Sequence, residues 1–124
     1  MKENLYDRAN RFFKGIESSD KLKKQIKEFD HVVQFDPKNG DPFYVQISQG
    51  KVDLVKGKKY SPDDELGLYI TGDDACLSSL FEGEMSLGES MYNHRIQVPG
   101  FRDNKEPMVV WFSKLIQAGV KERA

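Results

Sequence analysis

The spacing of apolar residues changes twice along this chain, and these changes limit the folds available to it. Before His31, apolar residues recur every three or four positions, as in helices that bury one face. From His31 to Thr71 the period is two, which is typical of strands. The helical period returns after Gly72, interrupted by one alternating segment at 94–98. The predicted order α-α-β-β-β-β-α-α-β-α places the chain in the α+β class.

The alternating segments predict five strands, four of which follow one another closely. Pro37, Gly50 and Gly57 fall at the ends of these segments and are typical turn residues. Four consecutive strands with short links favour an antiparallel meander with one apolar and one more polar face. The predicted strands cover residues 31–36, 43–48, 51–56, 66–71 and 94–98.

Polar residues that can cap helices precede several of the predicted helices. Ser19 or Asp20 precedes the second helix, and Asp73 or Asp74 precedes the third. Ser86, three residues before a glutamate, matches a capping box and predicts a short fourth helix. We therefore expect the acidic pair at 73–74 to cap a helix and not to bind a metal.

The composition fits a single domain over residues 1–124, with no cofactor. Leu, Ile, Val and Phe make up about a quarter of the 124 residues, enough for a packed core. The 19 basic and 20 acidic residues nearly balance, and no basic cluster predicts a nucleic acid partner. One cysteine excludes an internal disulfide, and no apolar run has the length of a signal peptide or membrane span. We therefore expect a cytoplasmic protein.

The residue types that carry catalysis do not form a recognisable set. Cys76 lies on the apolar stripe of a helix, which favours a buried thiol over a nucleophile. His31 and His94 each begin a strand without a fixed partner, which favours surface histidines. The acidic groups at 63–65 and 73–74 have structural explanations in a turn and a cap. We therefore predict neither an enzyme nor a metal site.

The final helix is unusually apolar. Seven of the nine residues from Met108 to Ile116 are apolar, and they point over more than the stripe that one packed face requires. Three interpretations follow: a core helix, an interface helix, or a lid over an apolar cavity. From the pattern alone, the core interpretation ranks first. Gly119 is the expected end of this helix.

The order of elements and several motifs resemble the sterol carrier protein type 2 (SCP-2) sterol transfer family. The segment LGLYITGDDACLSSLFEGEMSLGESMYNHRIQVPG carries Asp74, Leu77, Leu80 and Gly83 where the family pattern has an acidic helix start, two leucines and a glycine. Upstream, HVVQFDP and FYVQISQGKVDLVKG resemble the opening strands of the family. The likeness covers residues 4–119.

This resemblance implies a five-stranded, mainly antiparallel sheet covered by helices on one side, with an apolar tunnel between the layers. The last helix would then cover the tunnel. We expect the ligand-binding residues to come from the apolar stripes of the helices and the loop before the last one, namely Leu77, Leu80, Phe81, Met85, Met91, Phe101, Met108, Phe112, Leu115 and Ile116.

Two functions remain open at this point. The first is noncatalytic carriage of a lipid, whether fatty acyl, fatty acyl-CoA or sterol-like, because apolar burial alone binds an alkyl chain at about 0.8 kcal/mol per CH2. The second is a small interaction module whose apolar C-terminal helix contacts a partner chain or a second copy. The expected partner is a lipid or fatty acyl ligand, and transient membrane-surface contact and a homodimer are compatible with the pattern.

Overall fold

The computed structural model describes residues 4–27, 30–58, 67–98 and 106–123. The helices in these ranges are α1 (Leu5–Ser18), α2 (Asp20–Ile26), α3 (Asp74–Glu82), α4 (Leu87–Tyr92) and α5 (Glu106–Arg123). The strands are β1 (Asp30–Pro37), β2 (Phe43–Ser48), β3 (Lys51–Lys56), β4 (Gly67–Gly72) and β5 (Ile96–Gln97). The predicted order of elements is confirmed. None of the helices in the described ranges is long and apolar enough to cross a bilayer.

The strands form one mixed sheet in the order β3-β2-β1-β4-β5. Three neighbouring pairs are antiparallel, but β1 and β4 are parallel, with Val33 opposite Leu68. The predicted meander is therefore wrong, because β4 lies on the far side of β1 and not beside β3. The reason can be seen in β1, where Val32 and Gln34 are buried as well as Val33 and Phe35. A strand buried on both faces belongs in the middle of a sheet.

The fifth strand is shorter than predicted. Residues 94–98 were expected to be extended, but β5 contains only Ile96 and Gln97, which pair with the end of β4. His94 has a positive φ of 59°, the left-handed conformation that reverses the chain after α4. Extended pairing can therefore begin only after this turn.

The helices pack on one face of the sheet, as the resemblance implied. Val33, Phe35, Val45 and Leu68 project from alternate strand positions into one cluster with the helices. The helical part of this cluster includes the predicted stripe of α1. The apolar periodicity of the sequence therefore identified both sides of the core. The α1 residues in it are Leu5, Ala9, Phe12, Phe13 and Ile16.

The opposite face of the sheet is more polar but is not fully exposed. Gln34 is buried there, and its Nε2 donates to the carbonyl oxygens of Phe43 at 3.1 Å and Gly57 at 3.2 Å. The buried Tyr69 donates its hydroxyl hydrogen to Asp36. Burial raises the pKa of Tyr69, and the hydrogen bond to Asp36 raises it further. These bonds satisfy polar groups that would otherwise be costly to bury.

Two of the three predicted caps use the expected side chain. The hydroxyl of Ser19 accepts from the amide of Leu22, and that of Ser86 accepts from the amide of Glu89 at 3.1 Å. Asp73 occupies the N-cap position of α3, but its side chain makes no capping hydrogen bond. Asn39, in the loop after β1, instead accepts from the amide of Asp74 at 2.9 Å.

The last helix does not end at Gly119, contrary to the sequence prediction, and continues to Arg123. The glycine is present for packing, because a Cβ at this position would lie 2.6 Å from Cζ of Phe12. The missing side chain lets α5 approach α1 closely. A helix interior tolerates such a glycine when tertiary packing outweighs its intrinsic cost.

A pair of glycine substitutions tests this packing. Gly119→Ala should destabilise the protein by about 1–3 kcal/mol, because the added methyl overpacks against Phe12. Gly15→Ala in α1 is the control, since no atom lies within 4 Å of its added methyl, and it should stabilise by about 0.5–1 kcal/mol. Urea denaturation measures both. Equal stabilisation by the two substitutions would contradict the close approach of α1 and α5.

Candidate functional site

An open pocket lies between α4 and α5. It has a volume of about 740 Å³ and a mostly apolar lining, and we call it the α4–α5 groove. Pockets of about 300–1,000 Å³ with mostly apolar walls are the usual size for small-molecule sites. The residues that line it are Gly88, Met91, Tyr92, His94, Val109, Val110, Ser113, Lys114 and Gln117.

The helix α5 forms one wall because it is apolar on two adjoining faces. Val109 and Phe112 are buried in the core, whereas Val110 is 44% exposed. Lys114 comes four positions after Val110, and Gln117 comes three positions after Lys114. These spacings place the three side chains on one side of the helix. The apolar residues of this helix therefore form two surfaces, one that packs in the core and one that lines the groove.

The helix α4 forms the opposite wall and is only six residues long. Leu87 and Ser90 face inward and are buried, and the Ser90 hydroxyl donates to the carbonyl oxygen of Ser86 at 2.9 Å. Met91 is half-buried towards the groove, and Tyr92 is 85% exposed at its edge. A helix this short spans about 9 Å, so it covers only part of α5.

A smaller pocket of about 270 Å³ lies beside the groove along α5. Gln117 borders both spaces, and the second one lies between the segment after α3 and the last turns of α5. Its lining is formed by Leu80, Gly83, Glu84, Met85, Ser86, Leu87, Glu89, Ile116, Gln117, Val120 and Lys121. The two spaces together follow the outer side of α5 from Val109 to Lys121.

Four of the ten predicted site residues border these spaces. Met91 lines the groove, and Leu80, Met85 and Ile116 line the smaller pocket. Phe101 lies outside the described residues. The structure thus brings one end of α3, the linker to α4 and the outer part of α5 to one surface.

The other five predicted residues lie in or against the hydrophobic core. Met108 is half-buried against it, and the remaining four are buried, namely Leu77, Phe81, Phe112 and Leu115. The Phe112 ring is fully buried, with its centroid 6.0 Å from that of Phe13 and 6.2 Å from that of Phe35. These aromatic contacts fill the space behind the groove.

Most of the residues that line the groove were not predicted from the sequence. Val110, Lys114 and Gln117 were absent from the predicted site, although their spacing on α5 was visible in the sequence. The signal was the excess apolar width of that helix, which left open a core helix, an interface helix and a lid over a cavity. Tyr92 and His94 had no comparable signal, because their position depends on the turn after α4.

The two spaces differ in charge. Among the described residues, the ionisable side chains lining the groove include His94 and Lys114 and no carboxylate. The smaller pocket is bordered by Glu84 and Glu89 as well as Lys121. The groove therefore has a cationic edge beside apolar walls, and the smaller pocket has mixed charge.

Metal-binding side chains do not cluster in the described part of the chain. It holds no group of three or more His, Cys, Asp or Glu side chains that could bind a metal ion. Cys76 is half-buried against the core on α3, away from the lining of the groove. Within the described ranges, no carboxylate pairs with His94, although a general base usually needs such an orienting partner.

Comparison with known families decides the relationship. Residues 9–101 match the SCP-2 sterol transfer family, which is most of the chain. The chain belongs to this family. The resemblance inferred from the sequence is thereby confirmed. Comparison with curated protein sequences gives no match.

Solved structures show the same fold at low sequence identity. A UbiJ-SCP2 ubiquinone synthesis protein aligns with a TM-score of 0.67 and 14% identity, covering 89% of this chain and 90% of its own. A crystal structure of sterol carrier protein 2 aligns with a TM-score of 0.64 and 12% identity, and the alignment covers 95% of each chain. A conserved hypothetical protein from Thermus thermophilus aligns with a TM-score of 0.59 and 12% identity, and the alignment covers 93% of this chain and 85% of its own. These matches confirm the SCP-2 fold.

The positions of Phe112 and Val110 on α5 predict different responses to truncation. Phe112→Ala should cost about 3–5 kcal/mol of unfolding free energy, because it opens a cavity among Phe13 and Phe35. Val110→Ala should change stability by no more than about 0.5 kcal/mol, because that side chain is part-exposed in the groove. Chemical denaturation gives both values. A small loss for Phe112→Ala would mean that its ring borders open space.

Proposed function

We propose that this SCP-2 family member is a noncatalytic carrier that binds a lipid in the α4–α5 groove. The observation that supports this most is an open, mostly apolar space of about 740 Å³ between two helices of a lipid-carrier fold. Burial of an alkyl chain against such walls needs no catalytic group and is favourable by about 0.8 kcal/mol per CH2. The crystal structure of sterol carrier protein 2 shares the fold, which supports the same class of ligand.

In this proposal the nine predicted residues that the structure describes have two roles. Met91 contacts the ligand in the groove, and Leu80, Met85 and Ile116 extend the apolar surface into the smaller pocket. The buried residues on α3 and α5 form the floor that fixes the distance between the walls. Methionine suits the wall position because its flexible side chain adapts to alkyl chains of different shape.

The same geometry supports transient contact with a membrane surface. Tyr92 and Val110 are exposed at the edge of the groove, where a ligand would enter. A tyrosine has an apolar ring and a polar end, and this combination is favoured at the boundary between lipid and water. Loading from a membrane would therefore occur at the edge formed by these two residues.

The exposed edge also favours a second candidate, association with a partner chain or a second copy. Val110 on α5 and Tyr92 at the end of α4 are exposed apolar side chains that line the same groove, and exposed apolar surfaces often mark interfaces. The walls around them enclose a concave space, however, which fits an alkyl chain better than a flat protein surface. We therefore favour the carrier, with self-association as the alternative.

A charge in the groove tests the carrier proposal. Val110→Asp should weaken binding of a fluorescent fatty acid by about tenfold or more, because bound alkyl groups would desolvate the carboxylate. Val55→Asp on β3 is the matched control, since Val55 is also exposed but does not line the groove, and it should bind like the wild type. Fluorescence titration measures both affinities.

Two outcomes would contradict the proposal. Wild-type protein without saturable fatty-acid binding would exclude the carrier. Equal binding by the Val110→Asp and wild-type proteins would place the ligand elsewhere. Sedimentation of the same samples identifies the alternative, because an interface role predicts a wild-type dimer that Val110→Asp dissociates.

A further inference from the structure

The strand β3 lies at an edge of the sheet, where one row of its backbone groups has no neighbouring strand. Along an antiparallel strand, successive residues direct their N–H and C=O groups to opposite sides. The amide of Gly57 donates to the carbonyl oxygen of Pro42, so the backbone groups at odd-numbered positions face β2. The groups of Val52, Leu54 and Lys56 therefore face away from the sheet. Such a row of groups is a template for pairing with a strand of another chain.

Side chains of α1 bind this outer row. The carboxylate of Glu17 accepts from the amide of Val52 at 2.6 Å, and the ammonium group of Lys14 donates to the carbonyl oxygen of Val52 at 2.7 Å. Tyr6 adds a third bond, from its hydroxyl group to the carbonyl oxygen of Leu54 at 3.2 Å. One acidic and one basic side chain thus give Val52 the acceptor and the donor that a neighbouring strand would give it.

The acidic and basic side chains are placed together by the helix that carries them. Lys14 and Glu17 are three residues apart on α1, which puts them on the same side, and their charged groups lie 4.0 Å apart. Their side chains are 46% and 31% exposed, so water could solvate both charges without the bonds to β3. An exposed ion pair contributes little to stability. The placement of this pair is therefore better explained by the sheet edge that it covers.

A second copy of β3 fits the same edge when the two strands run antiparallel with Leu54 opposite Leu54. In that register Val52 lies opposite Lys56 and Asp53 lies opposite Val55, so no like charges face each other. A register centred on Asp53 would instead place two aspartates directly opposite, which is unfavourable. The sequence of the strand thus favours pairing between two copies in one register.

We propose that the outer edge of β3 is a self-association surface, which Tyr6, Lys14 and Glu17 of α1 keep closed so that the chain stays monomeric. The partner that fits the open edge is a second copy of this chain, joined to the first through a continuous sheet. Displacement of these side chains, without a change in the core, would then convert the monomer to a dimer. This inference does not depend on the carrier function, because no residue of β3 lines the groove.

Light scattering coupled to size-exclusion chromatography tests the proposal with a variant of unchanged net charge. The double variant Lys14→Ala, Glu17→Ala should show a concentration-dependent doubling of mass, because both backbone groups of Val52 are then free to pair. The wild type should remain monomeric at the same concentrations. The matched control, Lys24→Ala with Glu84→Ala, also removes one cation and one carboxylate, from exposed positions outside α1 and β3, and should remain monomeric.

Two further measurements show whether the new contact is at β3. Lys56→Pro, added to the double variant, should restore the monomer, because proline removes an outward-facing amide and leaves the ladder to β2 intact. Hydrogen exchange should show the amides of Leu54 and Lys56 more protected in the dimer of the double variant than in the wild-type monomer.

Three outcomes would overturn the proposal. They are a folded double variant that stays monomeric at every concentration, a dimer that Lys56→Pro leaves intact, and a wild-type dimer in which the amides of Leu54 and Lys56 are already protected. Circular dichroism checks the fold of each variant. If the double variant does not fold, Lys14→Ala and Glu17→Ala are tested singly, because each frees one backbone group of Val52. Monomers in both cases would overturn the proposal.

Discussion

A group of phenylalanine rings joins every layer of this protein. Phe13 of α1 and Phe35 of β1 each lie within ring-contact distance of Phe81 of α3 and Phe112 of α5, with centroid separations of 5.6–6.2 Å. Each ring buries a large apolar surface, and the tilted and stacked pairs add to the burial energy. The rings hold three helices on one face of the sheet and so fix where α5 can lie.

The groove follows from this constraint. Because Phe112 and its buried neighbours commit one side of α5 to the core, the adjoining side with Val110 and Lys114 must face outward. The helix has 18 residues and a length of about 27 Å, whereas α4 has six. A neighbour so short cannot cover it, and an apolar wall remains open. The packing that stabilises the fold therefore also leaves a space for a ligand.

Most helices and strands could be predicted because they depend on residues that are close together in the sequence. The α1 stripe and the Ser86 cap depend on spacings of three and four residues, which a sequence shows directly. The parallel pairing of β1 with β4 depends on contacts between distant segments. The only local indication of this pairing is that β1 has apolar residues on both faces. Gln34, a polar residue in the middle of the strand, weakens that signal. Gly119 shows the same difficulty, since a glycine that accommodates a neighbouring ring looks like a helix end.

The candidate site was harder to predict than the fold. Apolar stripes identify residues that are buried, but they do not distinguish the filled core around Phe112 from the wall of a groove. That distinction depends on how much of α5 its neighbours cover, which is set by the length of α4 and the turn at His94. Lys114 was not predicted to line the site, because a charged residue on a helix normally faces solvent.

Native mass spectrometry of the purified protein shows whether the chain carries a lipid. A carrier is expected to be a monomer that retains an adduct with the mass of a lipid, released when the complex is activated by collision. A ligand-free dimer, or a monomer that remains free after incubation with fatty acid, would contradict it.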